Sequence, residues 1–506
     1  MVPRTFPSSL NAFTRRRQLV ALFLGSVTGL QRWVDYIPVN FAKGTTLVEG
    51  SYNNNGFIAV QEITSGVGLK AFLDYIPVFF DPSATDTWQV SATGFIPYGV
   101  SGVTSPPTLE LGFTRGDTLD SRITFTRAST ATRTNSSGVL VSAAVNAPRF
   151  DYDPVTRAPK GLLIEEQRTN LVVQSQNFES ASWPIGAGTI TANAALAPDG
   201  TLAADEFTEL LTTAQHNVHQ IIPVVSGVAY TYSVFVKNTD IGFVQVMFPS
   251  VQFGATAFAN FNIATGAIGT VGATATAAVS LLANGFYRIS ITSTATATGS
   301  ASCYINGITS ATAARFESYL GTGKKFLLYG AQLEAGSFAT SYIPTTTAAA
   351  TRAADVAYID TTALNTFFNT AEGTVYSDVV GPNTTNNSAP FGFRTGASTY
   401  SFDLIRNNFR FGQTGQTVDL VQTLSTAAYK AACAYTNSGT HSVSFNGSAA
   451  TSTTGVQTNP TLTAMFIGNG STINTTSTAF TMNGHIRKIA YYPRRLANTE
   501  LQALTS

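Results

Sequence analysis

Short runs of β-branched and aromatic residues, separated by turns that contain glycine and asparagine, fill most of this chain and constrain its fold more than any other feature. Such runs favour strands, and the 42 glycines and 20 prolines provide frequent turns between them. We therefore predict a mostly β fold. Predicted strands include YTYSVFVKN at 230–238, FVQVMF at 243–248, FYRISITSTA at 286–295, KFLLYGAQLEAG at 325–336, GTVYSDVV at 373–380 and GHIRKIAYYP at 484–493.

The surface of this protein is poor in charge. Charged residues make up 11% of the 506 residues, where an ordinary soluble domain has about 25%, so hydroxyl and amide groups must keep the protein soluble. The net charge of +1 predicts neither a nucleic-acid partner nor membrane insertion. The two cysteines, Cys303 and Cys433, exclude a disulfide framework and a cysteine-based zinc site. The length predicts about three or four domains.

Residues 1–105 contain a repeat. The string DYIPV occurs at 35–39 and at 74–78, and GFI follows each copy, at 56–58 and at 94–96. Two matched strings at nearly equal spacing predict a duplicated β unit. Because proline cannot donate to a strand ladder, DYIPV is expected to end a strand, which is a purely structural role. The functional alternative is that the two units pair with neighbouring proteins by strand addition.

The segment RRRQLVALFLGSVTGL at 15–30 resembles the charged and apolar parts of a signal peptide. No clean small-residue cleavage site follows it, and the apolar run is too short to span a bilayer. A buried helix or a helix docked on a partner is the preferred interpretation. The residues expected to dock this region are Arg15, Arg16, Arg17, Tyr36, Pro38, Tyr75 and Pro77.

The string SPPT at 105–108 predicts a linker. Residues 106–175, of which 111–175 are more charged, form a leading block. Its first part predicts two strands around the turn NSSG at 135–138. At the other end of the chain, RRLANTELQALTS predicts a short helix with Asn498 as its N-cap and with Leu501 and Leu504 on one face.

Four strings resemble bacteriophage tail-fibre and minor structural proteins. They are ITFTRASTATRT, PRFDYDPVTRAPKGLLIEEQRTNLV, YGAQLEAGSFATSYIPTTTAAATRAADV and GHIRKIAYYPRRLANTELQAL, and the resemblance covers residues 111–506. It implies a virion surface protein, made in the host cytoplasm, that is homotrimeric and contacts other virion proteins and host surface polysaccharide. The domains then expected are a virion-anchoring region at 1–105, a linker and leading module at 106–175, a carbohydrate-binding-module-like jelly roll at 176–350, and a concanavalin A-like (laminin G-like) sandwich at 351–506.

Residues suited to catalysis or metal binding are scarce, and we expect no enzyme, no cofactor and no metal site. His216 and His219 stand three residues apart, but no third metal ligand is evident. Asp151, Asp153, Glu165 and Glu166 leave a glycosidase carboxylate pair open as an alternative. Salt links from these carboxylates to Arg149, Arg157 and Arg168 are the preferred interpretation.

Glycan binding needs aromatic faces for stacking and polar groups for the sugar hydroxyls. The candidates in the last domain lie in or beside predicted loops. Trp183 is either a sugar-binding residue or a structural part of the framework. These candidates are Phe391, Arg394, Tyr400, Asn407, Asn408 and Trp183.

Three functions follow from this sequence. The first is a tail fibre or appendage that binds host glycan, with the last domain as its receptor end. The second is a purely structural decoration or adaptor of head or tail. The third is a glycan depolymerase, which the sequence disfavours because no regular short repeat predicts a β-helix. An aromatic-lined groove would favour the first function over the second.

Overall fold

The computed structural model describes residues 106–381, 389–395, 399–405, 408–413, 416–421, 428–436, 439–454, 462–469 and 481–506. Before residue 98 and between 395 and 421 it describes the backbone of strands only. The fold is mostly β, with antiparallel sheets throughout, which confirms the predicted fold class. Within the described residues, no helix has the length and apolar character needed to cross a membrane.

Five short strands near the N-terminus form one sheet, in the order β1-β3-β2-β4-β5. The two GFI strings fall in β3 and β5. Both copies of DYIPV and all seven docking candidates lie outside the described residues. The strands are β1 (Leu30–Gln31), β2 (Gly50–Asn53), β3 (Phe57–Ala59), β4 (Thr87–Ser91) and β5 (Gly94–Pro97).

The leading block contains seven strands, of which β8 and β9 form the hairpin predicted around NSSG. Asn135 starts the turn, because its Oδ1 accepts the backbone N–H groups of Ser137 and Val139, both at 3.0 Å. The strands are β6 (Leu109–Gly112), β7 (Ile123–Thr126), β8 (Ala131–Thr134), β9 (Leu140–Ala143), β10 (Phe150–Tyr152), β11 (Pro159–Ile164) and β12 (Arg168–Asn170).

The next part of the chain forms two six-stranded antiparallel sheets, which we call the inserted sandwich. Their orders are β13-β17-β24-β19-β20-β21 and β14-β15-β26-β18-β23-β22. The elements are β13 (Ile185–Gly186), β14 (Gly188–Leu196), β15 (Leu202–Glu209), β16 (Thr213–Ala214), β17 (Asn217–Val224), β18 (Ala229–Asn238), β19 (Phe243–Met247), α1 (Ser250–Phe253), β20 (Phe258–Asn262), β21 (Ala267–Val271), β22 (Thr276–Leu281), β23 (Tyr287–Thr294), β24 (Gly299–Gly307), β25 (Tyr319–Leu320) and β26 (Lys325–Ala335).

Alternation along the strands places apolar side chains of both sheets in one core. Val218, Val246 and Ile305 come from the first sheet, and Val234 and Leu328 from the second, and all are fully buried in the same cluster. Each fully buried side chain of this size contributes about 1.5–3 kcal/mol relative to exposure. The inserted sandwich therefore has a core that its own strands supply.

The remaining elements follow the inserted sandwich. They are β27 (Ala350–Arg352), β28 (Val356–Asp360), α2 (Thr361–Leu364), β29 (Glu372–Val380), β30 (Phe391–Thr395), β31 (Thr399–Ile405), β32 (Asn408–Gln413), β33 (Gln416–Val421), β34 (Ala428–Thr436), β35 (Thr440–Phe445), β36 (Thr451–Thr454), β37 (Ala464–Ile467), β38 (Gly484–Tyr492) and α3 (Asn498–Thr505). Of these, the strands β28 to β38 form a second pair of sheets.

Strands of the leading block complete these two sheets. β6 and β11 both pair with β38, β10 pairs with β11, and β7 pairs with β28. The ring of Phe368 lies between the sheets, 5.1 Å from Phe393 and 5.2 Å from Tyr491. We call this unit the split sandwich, because its strands come from before and after the inserted sandwich. The domain limits drawn from the sequence stay a prediction.

A two-stranded ladder joins the two ends of the inserted sandwich. β12 pairs with β27, with Arg168 opposite Arg352 and Asn170 opposite Ala350. Asn170 Nδ2 also donates to the carbonyl of Ile343 at 2.8 Å. The chain therefore leaves the split sandwich and returns to it at one place.

The C-terminal helix starts where the sequence predicted, with a different cap. Ala497 is the N-cap, and Glu500 Oε2 accepts its backbone N–H at 2.7 Å. The predicted cap at Asn498 is therefore wrong by one residue. Leu501 and Leu504 are both buried, as their spacing predicted.

Candidate functional site

The outer face of the first sheet of the inserted sandwich carries a row of amide side chains. Direct cross-strand partners lie on the same face of an antiparallel sheet. Asn217 of β17 is opposite Asn306 of β24, which is opposite Gln245 of β19, which is opposite Asn260 of β20. All four are buried, although they point away from the apolar core. The face is therefore polar and covered at this row.

A loop at 308–318 covers the amide row. Gln245 Nε2 donates to the carbonyl of Ala314 at 3.1 Å, and its Oε1 accepts the N–H of Phe316 at 2.7 Å. Asn260 Nδ2 donates to the carbonyls of Ala311 and Ala313 at 3.2 and 2.8 Å. Buried amides satisfied in this way fix the loop against the sheet.

The next row on the same face is aromatic and partly open to solvent. His219 of β17 is opposite Tyr304 of β24, with ring centroids 4.6 Å apart and an interplanar angle of 32°. The loop adds Phe316, whose ring centroid lies 4.9 Å from that of Tyr304. We call His219, Tyr304 and Phe316 the aromatic platform. All three are half-buried, and the neighbouring Ile221 is 57% exposed on the same face.

The platform residues are positioned by strand register and by the loop. Burial lowers the pKa of His219, so its imidazole is neutral at pH 7, and its Nδ1 lies 3.2 Å from Asn217 Oδ1. Phe316 has a φ of 55°, a backbone conformation that costs a bulky residue about 1–2 kcal/mol. The Gln245 side chain holds it there. Three adjacent half-open rings offer faces on which a sugar ring can stack.

Arg315 lies beside the platform. Its Nη2 donates to the carbonyl of Phe248 at 2.8 Å. The nearby phenol of Tyr304 acts to raise the pKa of Arg315. Burial lowers the pKa of Arg315, but a guanidinium stays charged at neutral pH. The site therefore combines aromatic faces with one fixed cation.

The carbohydrate-binding candidates from the sequence do not form such a surface among the described residues. Trp183 is 2% exposed, stacks 4.6 Å from Phe178 and donates Nε1 to the carbonyl of Gln174 at 2.9 Å. Phe391 and Arg394 are buried too. Only the backbone of Tyr400 and Asn408 is described, in β31 and β32, and Asn407 lies outside the described residues.

The two histidines that stand three residues apart, His216 and His219, have different surroundings. His216 is buried, with its ring nitrogens 2.7 Å from the carbonyl oxygen of Ala187 and 3.1 Å from that of Tyr319. His219 instead belongs to the aromatic platform. Within the described part of the chain, no group of three or more potential metal ligands comes together.

Three of the four candidate carboxylates line one cleft of about 870 Å³ beside β22 and β23. In this cleft, Asp151 Oδ2 accepts from His485 Nε2 at 2.8 Å and lies 3.2 Å from Lys160 Nζ. Burial opposes the charge of Asp151, but the bonds from His485 and the charge of Lys160 prevail and lower its pKa to about 2. Asp153 and Glu165 also line this cleft.

The fourth carboxylate, Glu166, pairs with Arg168 as the sequence predicted. Glu165 pairs with Arg149 at 2.7 Å, as predicted, and with Arg352 at 2.9 Å. Burial opposes the charge of Glu165, but the two arginines outweigh it and hold its pKa well below the usual range. A carboxylate held ionised in this way is a poor general acid.

Sequence reasoning placed the receptor end in the last domain and missed the aromatic platform. The sequence does not distinguish the run that contains Tyr304, and the spacing of His219 from His216 raises only the question of a metal ligand. Phe316 lies in a loop with no pattern of its own. The alternation of β17 would have placed His219 and Ile221 on one face, but only the register with β24 shows that Tyr304 joins them.

No family model and no curated protein sequence matches the chain. Among solved structures, the chain is similar to the CBM40 module of the Ruminococcus gnavus IT-sialidase bound to α2,3-sialyllactose, with 13% identity over 27% of this chain and 84% of that one, and a TM-score of 0.23. It is similar to the binding domain of botulinum neurotoxin DC, with 11% identity, 30% and 39% coverage and a TM-score of 0.22. It is also similar to the Trypanosoma rangeli sialidase, with 10% identity, 60% and 51% coverage and a TM-score of 0.25.

The chain spans about half or less of the length of the last two structures. The expectation that the protein is not an enzyme is contradicted, because the structures similar to it include sialidases, which are enzymes. At TM-scores of 0.22–0.25, none of these likenesses assigns a substrate or an activity to this chain.

Proposed function

We propose that this protein binds a surface glycan through the aromatic platform, as part of a bacteriophage tail fibre or appendage. The observation that carries the glycan proposal is the row of three half-open rings on a sheet face where the neighbouring amides of Gln245 and Asn260 already bond to the covering loop. Sugar rings present C–H groups on their faces, and those faces stack on aromatic side chains. The polar rim for the sugar hydroxyls includes Ser302, the cross-strand partner of Ile221.

The platform is preorganised. Phe316 is held by Gln245, and His219 and Tyr304 are held by eight consecutive register pairs between β17 and β24. A rigid site loses little conformational freedom on binding, which favours affinity. A small platform still binds one glycan weakly, so a homotrimer that presents three platforms to a polysaccharide would gain strongly from avidity.

The virion part of the proposal is supported by the four strings that resemble tail-fibre proteins. In this proposal residues 1–105 dock on other virion proteins, and the platform faces outward from the particle surface. Removing residues 1–105 is expected to leave glycan binding intact and to prevent incorporation into particles. Incorporation of the shortened protein at the normal level would refute the docking role.

The test uses the full chain and surface polysaccharides from a panel of bacteria, followed on a sizing column for both protein and sugar. Tyr304→Ala is expected to reduce co-elution at least 10-fold, since it removes the central ring of the platform. Tyr287→Ala is the matched control, because Tyr287 is equally half-buried but lies in the other sheet. Equal binding by the two variants would refute the site. Shortened polysaccharide would instead reveal a depolymerase and direct attention to the cleft at Asp151.

A structural adaptor is the second candidate function. The observation that favours it is a buried connection between the two sandwiches, since Arg149 pairs with Asp355 of the split sandwich and donates to Oγ of Ser341, which follows β26 of the inserted sandwich. Such a connection suits a stiff spacer as well as a receptor-binding fibre. Absence of binding by the unmodified chain across the whole panel would favour this candidate over the first.

A further inference from the structure

We propose that Arg315 recognises a carboxylate, so that the ligand of the aromatic platform is an acidic glycan. This inference rests on the proposed glycan-binding function and narrows it to one substrate class. It is carried by the position of the guanidinium beside the platform and by its hydrogen bonds.

The guanidinium of Arg315 is only partly satisfied by the protein. Nη2 donates to the carbonyl of Phe248 at 2.8 Å, whereas the buried Nε has no hydrogen-bond partner in the described part of the chain. No ion pair links Arg315 to a carboxylate among the described residues. Nε of Arg149 and of Arg352 also has no partner among these residues, but both of these arginines pair with Glu165, so the missing ion pair is what distinguishes Arg315 from them. A half-buried cation without a counter-ion is costly to keep, and a ligand carboxylate would supply the missing charge.

The nearest acidic side chain in the loop is committed elsewhere. Glu317 accepts the backbone N–H of Thr309 at 2.7 Å and its hydroxyl at 2.8 Å. These bonds tie the start of the loop to its end. The carboxylate of Glu317 therefore stabilises the loop and does not neutralise Arg315.

The loop presents the cation and a ring together. Phe316 follows Arg315 directly, keeps a φ of 55° and donates its N–H to Gln245 Oε1. A strained non-glycine backbone that its surroundings hold in place is typical of a binding site. The planar fork of an arginine suits a carboxylate, with two parallel hydrogen bonds. A uronic or nonulosonic acid could then stack on Tyr304 while its carboxylate meets Arg315.

The experiment compares the full chain with its Arg315→Gln and Arg315→Lys variants. The probes are alginate, polygalacturonate, hyaluronate and polysialic acid, each beside its carboxyl-reduced form. A charge-assisted hydrogen bond contributes about 1.5–3 kcal/mol, so the unmodified chain should bind at least one acidic polymer about 10- to 100-fold more tightly than its reduced form. Arg315→Gln should remove that preference, and Arg315→Lys should retain part of it.

Arg122→Gln is the matched control, because it removes the same charge from a partly exposed ion pair with Asp120 elsewhere on the protein. Melting curves establish that each variant is folded. If Tyr304→Ala abolishes binding while Arg315→Gln leaves the preference for the acidic polymer unchanged, the role of Arg315 is refuted and the platform stands. If Tyr304→Ala binds normally, the proposed function itself fails. Equal binding of acidic and reduced polymers, or binding to none of the acidic probes, also overturns the inference.

Discussion

Replacing Asp355 by asparagine should destabilise the connection between the two sandwiches more than any surface ion pair could explain. Asp355 is 1% exposed. Its Oδ1 pairs with Arg127 at 3.0 Å, and its Oδ2 pairs with Arg149 and accepts the backbone N–H of Glu165 at 2.9 Å. The substitution keeps the size of the side chain and removes one negative charge between two buried arginines.

The expected loss follows from that geometry. Removing one partner of a buried ion pair costs about 3–5 kcal/mol, because the remaining charge stays buried without compensation. Arg149 keeps Glu165, and the amide oxygen of an asparagine can still accept one hydrogen bond. We therefore expect a loss near the lower limit, about 3 kcal/mol in the free energy of unfolding.

The assay is urea unfolding followed by circular dichroism, with Asp120→Asn as the matched control. Asp120 pairs with Arg122 at 2.7 Å, and the two side chains are 28% and 31% exposed. An exposed pair contributes about 0–1 kcal/mol, so the control should change the unfolding free energy by less than about 1 kcal/mol. Equal effects of the two substitutions would refute the argument that the buried network stabilises this connection.

Three further predictions follow. Gly161 has a φ of 108°, and a Cβ there would meet a backbone carbonyl of β38, so Gly161→Ala should lower the free energy of unfolding by about 3 kcal/mol. Gly227 has a φ of 82° but open space around it, so Gly227→Ala should lower the free energy of unfolding by about 1 kcal/mol in the same urea titration. The pKa of Asp151 is about 2, below its ordinary 3.8, so its charge stabilises the fold above about pH 4 and less as the pH falls to 2; Asp151→Asn should reduce that pH dependence by about 2 kcal/mol. Burial raises the pKa of the thiols of Cys303 and Cys433, so iodoacetamide should label both only in urea, and fast labelling of the native protein would contradict their burial.

Local signals in the sequence predicted many of the strands. The runs at 230–238, 243–248 and 325–336 correspond to β18, β19 and β26, and the helix at the C-terminus begins within one residue of its predicted cap. Alternation and turn residues act within a few positions of the chain, so one sequence can reveal them. Partnership between distant strands has no such signal. Nothing in β6 indicates that it pairs with β38.

The candidate site depends on the same distant partnerships. The resemblance of the leading block to tail-fibre proteins favours salt links at Glu165 and Glu166, yet Arg352 joins Glu165 only through the ladder of β12 and β27. The platform needs β17 beside β24 and a loop held by Gln245. Aromatic residues in predicted loops suggest a sugar site only if their side chains are exposed. That exposure depends on tertiary packing, which composition does not encode.

The composition of the split sandwich, with strands from before and after the inserted sandwich, affects the order in which the chain folds during synthesis. The inserted sandwich has all its strands once Ala335 has left the ribosome, whereas β6 waits for β38, which ends at Tyr492. At about 5–20 residues per second, the roughly 150 residues between them take roughly 8–30 s. Throughout that interval β6 and β11 have emerged without β38, and unpaired strand edges are prone to intermolecular pairing. Slow translation or a chaperone bound to these strands should therefore affect the yield of native protein more than the stability of its finished fold.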